Sequence, residues 1–270
     1  MLRGLWLPRA QPRCSTVALV FTPEERGRLR DALIAAASID ERLSGAALTG
    51  SASLGAEDRW SDIDLALGIA PEVEITAVIA DWTTLMYRDH QAVHHTDVIS
   101  GATTYRVFLL ASTLQVDIAF APATEFGPTA PTFRLLFGTA ADKPLPPQPT
   151  AAALIGMGWL YALHARSSIA RGRVWQAEYM ISGVRDYVLA LACLRHGTSP
   201  YRGRGMDQLP PEATAAVAAA LVRSLDDREL RRAFRVVIHA LLAEITYADL
   251  ELATRLADTL QELATGTDTR

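Results

Sequence analysis

The sequence has few of the residues on which several classes of protein depend. Two cysteines, Cys14 and Cys193, occur in 270 residues, too few for a disulfide framework or a cysteine-based metal site and typical of a reducing cytoplasm. Lysine occurs once, at Lys143, and arginine supplies the rest of the 26 basic residues. Because the net charge is −4 and no long basic run is present, we do not expect general nucleic-acid binding.

Long apolar runs are also missing from the sequence. No run reaches the roughly 20 residues of a membrane span, so we expect no membrane association and a cytoplasmic location. Residues 1–15 lack the apolar segment of a signal peptide, and we expect 1–20 to be a flexible leader or the result of a misplaced start codon. Half of the residues are hydrophobic, which is enough for one large or two medium folded domains.

Two short motifs stand a loop apart in the first half of the chain. Leu48-Thr49-Gly50-Ser51 ends a predicted strand, and Ser61-Asp62-Ile63-Asp64-Leu65 opens the next. Gly50 allows backbone to approach a bulky anion, and Ser51 offers a hydroxyl and an N–H to phosphate oxygens. On a strand, Asp62 and Asp64 direct their carboxylates to one face, where they repel each other unless a cation binds between them. The motifs predict a site for Mg²⁺ and a nucleoside triphosphate, the alternative being two solvated aspartates at a strand edge.

These motif residues resemble the signature of the polymerase-beta-like nucleotidyltransferases, over roughly residues 45–122. The resemblance implies a third carboxylate on a later strand, and Leu114–Phe120 supplies Asp117 between apolar residues. It also implies that Asp62, Asp64 and Asp117 bind two Mg²⁺ ions and that Asp117 helps to deprotonate an acceptor hydroxyl. From the residues alone, Asp117 could instead be an ion-pair partner of Arg106.

The pattern along the chain predicts an α+β protein with two domains. Residues 21–122 form a nucleotidyltransferase domain with a mixed β-sheet flanked by helices, beginning at a capping box in Thr22-Pro23-Glu24-Glu25. Residues 123–150 are rich in proline and predict a connector. Residues 151–270 carry apolar residues at spacings of three and four, which predicts a C-terminal helical bundle. Its last helix is expected over 226–264, with a bend. This layout resembles the antibiotic nucleotidyltransferases that act on aminoglycosides or lincosamides.

Two further residues are candidates for the site. Arg59, three residues before Asp62, could contact a phosphate or could be a solvated loop residue. Glu178 lies near the start of a predicted helix, on a polar face with Ser182 and Arg185. It could orient or deprotonate the acceptor, or it could be a first-turn glutamate that the helix dipole favours.

We therefore expect an enzyme that moves a nucleoside monophosphate from ATP or another NTP to a hydroxyl of a small molecule, releasing pyrophosphate. The resemblance suggests an antibiotic as acceptor, and we expect a monomer or a homodimer. Two alternatives are a nucleotidyltransferase of antitoxin type that adenylylates a protein, and a non-catalytic interaction module that keeps the fold.

Overall fold

A computed structural model describes residues 20–142 and 144–266, which divide into two compact units between Pro146 and Pro147. The first unit contains a mixed β-sheet with flanking helices, and the second is helical. This architecture confirms the predicted α+β class with a helical C-terminal region. Within the described residues, no helix combines the length and the apolar character that crossing a bilayer requires.

The sheet of the first unit has six strands in the order β3-β4-β5-β2-β1-β6. The strands are β1 (Leu43–Thr49), β2 (Ile63–Ile69), β3 (Ala92–Ser100), β4 (Thr103–Leu110), β5 (Gln115–Pro122) and β6 (Phe133–Gly138). Strands β2 and β5 pair in parallel, and the other neighbours pair antiparallel. The parallel pair at the centre of the sheet carries Asp64 and Asp117.

Three helices accompany the sheet: α1 (Pro23–Ile39), the short α2 (Gly50–Ser53) and α3 (Ile75–Asp89). Helix α1 begins as predicted, since Thr22 and Glu25 form both hydrogen bonds of a capping box. It ends at Ile39, because Asp40 adopts an extended conformation and its carboxylate binds the Arg42 guanidinium and the Trp82 indole. Buried residues of α1 and α3 share one core with alternate residues of β2 and β5.

The described part of the second unit contains five α-helices and a 3₁₀ turn at Met206–Gln208. The helices are α4 (Ala151–Ala170), α5 (Val174–Arg195), α6 (Pro211–Ala219), α7 (Asp227–Ala248) and α8 (Leu250–Thr265). Their apolar faces form one large core, and a smaller cluster around Cys193 and Leu209 lies apart from it. Apolar residues at spacings of three and four in α5, from Ala177 to Leu191, and in α7, from Leu230 to Ile245, are buried. Spacings of three and four therefore identified the packing faces of these helices correctly.

Two parts of the chain differ from the prediction. The proline-rich segment 123–150 is not only a connector, because β6 within it pairs with β1 at the edge of the sheet. An edge strand tolerates nearby prolines since one side needs no ladder partner. The helix expected over 226–264 is two helices, because Asp249 is extended (φ −158°, ψ 95°) and its carboxylate accepts a hydrogen bond from the N–H of Leu252. Asp249 thereby ends α7 and caps α8.

Candidate active site

The parallel pairing of β2 and β5 brings two aspartates side by side. Asp64 on β2 lies directly opposite Asp117 on β5. Their neighbours along each strand are buried in the core shared with α1 and α3. Because side chains alternate along a strand, the two carboxylates lie on the other face of the sheet, away from that core.

Asp62 completes a cluster of three carboxylates. It directly precedes β2, and the ligand oxygens of Asp62, Asp64 and Asp117 all lie within 4.8 Å of one another. All three residues are half-buried. Among the described residues, this is the only group of three or more acidic, histidine or cysteine side chains that could hold a metal ion. Sequence spacing and pairing register thus converge on one site.

Like charges at this separation are unfavourable without a counter-ion. Burial raises the pKa of the Asp117 carboxyl, the hydrogen bond from the Gln115 amide (3.0 Å to Oδ1) opposes that rise, and the nearby charge of Asp62 adds to it. Carboxylate oxygens are the ligands that Mg²⁺ uses in proteins. A partly desolvated cluster of three such groups therefore fits a divalent cation.

The alternative partner for Asp117 is excluded by the contacts of Arg106. The Arg106 guanidinium forms a bidentate pair with Asp97 on β3, through Nε (2.7 Å) and Nη2 (2.6 Å). It also donates from Nη1 to the Thr83 hydroxyl. The idea that Asp117 neutralises Arg106 is therefore wrong, because Asp97 occupies that role.

Gly50 lies where β1 turns into α2, in contact range of the cluster. Its φ is +58°, a left-handed backbone conformation that residues other than glycine rarely adopt. A Cβ built on Gly50 would overlap Oδ2 of Asp64. Ser51 follows in the first turn of α2 and is half-buried. Gly50 is thus required both for its backbone conformation and for the space that Asp64 occupies.

The loop that leads into Asp62 is held by an arginine that the sequence analysis missed. Arg26 on α1 is buried, and its Nη1 donates to the backbone carbonyls of Asp58 (2.6 Å) and Ser61 (3.1 Å). Its Nε lies 3.2 Å from the Glu57 carboxylate. The buried face of α1 contains Arg26, Leu33 and Ala37. Their helical spacing was the feature of the sequence that could have predicted the burial of Arg26.

Arg59 lies in the same loop, is half-buried, and forms no ion pair with the residues that the structure describes. Its guanidinium stacks over the rings of Phe21 (5.2 Å) and Trp60 (5.0 Å). The Nη1 atom is buried and forms no hydrogen bond with the described residues. One buried donor of Arg59 is thus unused within the described residues, and its contact with a phosphate stays a prediction.

Glu178 lies in the second unit, on α5. Helix α5 begins at Val174 with no acidic residue in its first turn, so Glu178 is too far along the helix for the dipole explanation. Its Oε1 accepts a 2.6 Å hydrogen bond from the Ser182 hydroxyl, which in turn accepts one from Arg185. The predicted polar face exists, and the role of Glu178 in transfer stays a prediction.

The sequence matches no protein-family model and no curated protein. Among solved structures, an aminoglycoside 6-adenyltransferase from Bacillus subtilis is similar at 11% identity and a TM-score of 0.39, over 87% of this chain and 97% of that chain. A nucleotidyltransferase-like protein from Exiguobacterium sibiricum is similar at 13% identity and a TM-score of 0.35, over 87% of this chain and 80% of that chain. The solved structures similar to this chain therefore include proteins described as nucleotidyltransferases.

Proposed function

We propose that this chain is a metal-dependent nucleotidyltransferase. The observation that carries the proposal is the convergence of Asp62, Asp64 and Asp117 beside Gly50. Three carboxylates next to a glycine turn are suited to phosphoryl chemistry, where positioning and charge neutralisation supply most of the rate. The reaction moves a nucleoside monophosphate from ATP or another NTP to a hydroxyl of a small acceptor.

The three aspartates would hold two Mg²⁺ ions. When bound, the cations supply neutralisation of the charge on the phosphates and favour the ionised acceptor hydroxyl. Asp62 and Asp64 contribute negative charge at one edge of the site, and the β2–β5 pairing fixes Asp64 against Asp117. We assign Asp117 the proton of the acceptor hydroxyl. As that oxygen bonds to the α-phosphorus, the bond from the α-phosphorus to the leaving pyrophosphate breaks.

Gly50 and Ser51 would bind the triphosphate. Without a side chain on Gly50, phosphate oxygens can approach the backbone closely, and Ser51 adds a hydroxyl and an N–H. Arg59 has an unused buried donor in the loop before Asp62. A charge-assisted hydrogen bond from this donor to a phosphate would offset the cost of leaving it unpaired.

The acceptor is a small hydroxylated molecule in this proposal, with an antibiotic as one candidate. Support comes from the net charge of −4, which is unfavourable for a polyanionic acceptor such as long RNA. Glu178 is proposed to orient the acceptor or to take up a proton from it. The protein would act as a monomer or a homodimer.

The test incubates the chain with ATP, GTP, CTP or UTP, Mg²⁺ and a panel of small hydroxylated compounds, and measures pyrophosphate release and product mass. We expect release that needs both Mg²⁺ and an acceptor, and a product heavier by one nucleoside monophosphate. Asp64→Asn keeps the side-chain shape but removes charge, so turnover should fall by at least about 10²-fold. Asp31→Asn is the matched control, because Asp31 is an exposed aspartate on α1.

Three outcomes would contradict the proposal. Wild-type turnover in Asp64→Asn would remove the role of the cluster. Labelling of a protein instead of any small molecule would favour protein adenylylation, and nucleotide addition to RNA ends alone would change the acceptor class. Absence of pyrophosphate release with every NTP and acceptor would favour a non-catalytic module.

A further inference from the structure

The second unit contains a cavity of about 670 Å³ that lies outside the carboxylate cluster. Its wall includes residues of α4, of α5 and of the segment from Pro200 to Met206. A cavity of this volume is within the range of small-molecule sites in proteins. Its lining is formed entirely by residues of the second unit.

Two adjacent stripes of α5 form one wall of the cavity. One stripe carries Ser182 and Asp186, and the other carries Tyr179, Gly183 and Tyr187. Residues four apart lie on the same face of a helix, so a polar row and an aromatic row run side by side. The spacing of four residues along α5 therefore places acidic and hydroxyl groups beside aromatic rings.

The aromatic row is completed by Tyr161 on α4. The rings of Tyr161 and Tyr187 form an edge-to-face pair with centroids 5.3 Å apart. The nearby phenol groups of Tyr187 and Tyr179 raise the pKa of Tyr161. Gly183 lets the Tyr161 ring lie directly on the α5 backbone, since a Cβ there would overlap that ring. These tyrosines are therefore held as a group.

Asp186 is the carboxylate on this wall of the cavity. Among the described residues, it forms no hydrogen bond and no ion pair, whereas the Ser182 hydroxyl is engaged by both Glu178 and Arg185. Although the residue as a whole is exposed, partial burial of its carboxyl raises the pKa of Asp186, with the charge of Arg185 opposing the rise. An unpaired, partly desolvated carboxylate gains free energy from a cation.

The other charged residue of the lining is Arg202. It follows Tyr201, whose hydroxyl donates to the Pro147 carbonyl (2.8 Å), and it has a left-handed backbone conformation with φ of 50°. Arg202 is exposed to solvent, where its charge is screened. The aromatic row lies beside Asp186 on α5, so the electron-rich rings and the carboxylate attract the same sign of charge.

We propose that this cavity binds a small organic cation, with its ammonium group at Asp186 and against the tyrosine rings. Aromatic faces and a carboxylate together recognise organic ammonium groups, through cation–π attraction and charge pairing. The site goes beyond the proposed transfer reaction and does not depend on it. Its test needs neither nucleotide nor turnover.

The experiment measures binding of choline and of 3,3-dimethyl-1-butanol to the full-length protein, by saturation-transfer NMR and titration at low salt. The two probes have the same shape and hydroxyl group, but only choline is charged. We expect choline to bind about tenfold more tightly than the alcohol. Asp186→Asn should remove most of this difference, and Tyr179→Leu should weaken choline binding severalfold.

Asp258→Asn on α8 is the matched control for the charge change, because Asp258 is exposed and outside the lining. Melting temperatures of the variants establish that each is folded. Equal affinity for the two probes, or no binding of choline, would overturn the proposal. So would choline binding that survives Asp186→Asn in a folded protein but is lost on Arg202→Gln.

Discussion

At the scale of single residues, Gly50 shows how backbone conformation and site geometry are coupled. The +58° φ angle and the contact with Asp64 both require glycine. Gly55 has a similar φ of +65°, but a Cβ there would meet nothing within 4 Å. A substitution at Gly55 therefore carries the free-energy cost of backbone strain alone, whereas one at Gly50 also carries the cost of displacing the Asp64 carboxylate.

Gly50→Ala should destabilise the protein and abolish Mg²⁺ binding at the cluster, because the new methyl group pushes Asp64 aside. Gly55→Ala carries only the backbone cost of about 1–2 kcal/mol. Calorimetric Mg²⁺ titration and thermal melting of both variants check this. Equal Mg²⁺ affinity in the two variants would show that Asp64 does not depend on the space at Gly50.

Arg26 acts on the site through the loop and not by contact with the carboxylates. Arg26→Gln removes the hydrogen bonds to the carbonyls of Asp58 and Ser61. It also removes the ion pair between the Arg26 Nε and the Glu57 carboxylate. We expect a loss of stability of about 1.5–3 kcal/mol and weaker Mg²⁺ binding. Arg28→Gln, an exposed change on the same helix, should do neither. Denaturant melts and Mg²⁺ titrations of both variants provide the measurement.

At the scale of elements, Asp249 defines the junction between α7 and α8. Its extended backbone ends α7, and its carboxylate caps the first turn of α8. The leucine spacing continues across the junction, so periodicity alone does not mark the break. A single capping side chain decides that two shorter helices form here.

Asp249→Ala removes the cap and should cost about 0.5–2 kcal/mol. The measurement is the free energy of unfolding from chemical denaturation, followed by helix signals. Asp258→Ala, an exposed aspartate within α8, serves as the control and should change stability little. A larger loss from the control than from Asp249→Ala would contradict the capping role.

Sequence reasoning succeeded where a short-range pattern determines the structure. Alternation around Asp64 and Asp117 placed both aspartates on strands, and helical spacing identified the buried faces of α5 and α7. It failed where long-range contacts decide. Strand β6 is specified by pairing with β1, and Arg26 is buried because a distant loop needs its hydrogen bonds.

At the scale of the whole molecule, the chain divides between Pro146 and Pro147. The boundary lies inside the proline-rich segment. Within the same segment, β6 (Phe133–Gly138) is a strand of the sheet. Residues 123–132 and 139–150 of that segment have no strand or helix, and the boundary lies in the second of these stretches. Segments with few packed contacts open first.

Limited digestion of the intact protein with elastase should first cut between residues 139 and 150, where Ala140 and Ala141 offer sites. The fragments would be identified by mass spectrometry. First cuts within β6, or within α5 as a control for the helical unit, would show that the division lies elsewhere. Digestion at several protease concentrations separates first cuts from later ones.

The parallel pairing of β2 and β5 also has a consequence for the order of folding. A parallel neighbour requires a crossover, and here α3, β3 and β4 lie between the two strands in sequence. A growing polypeptide thus carries Asp62 and Asp64 well before Asp117 is synthesised. The carboxylate cluster can therefore form only after β5 has joined β2, because it requires a contact between residues distant in the sequence. Divalent cations would then bind to and stabilise the sheet once it has formed, and would not initiate its folding.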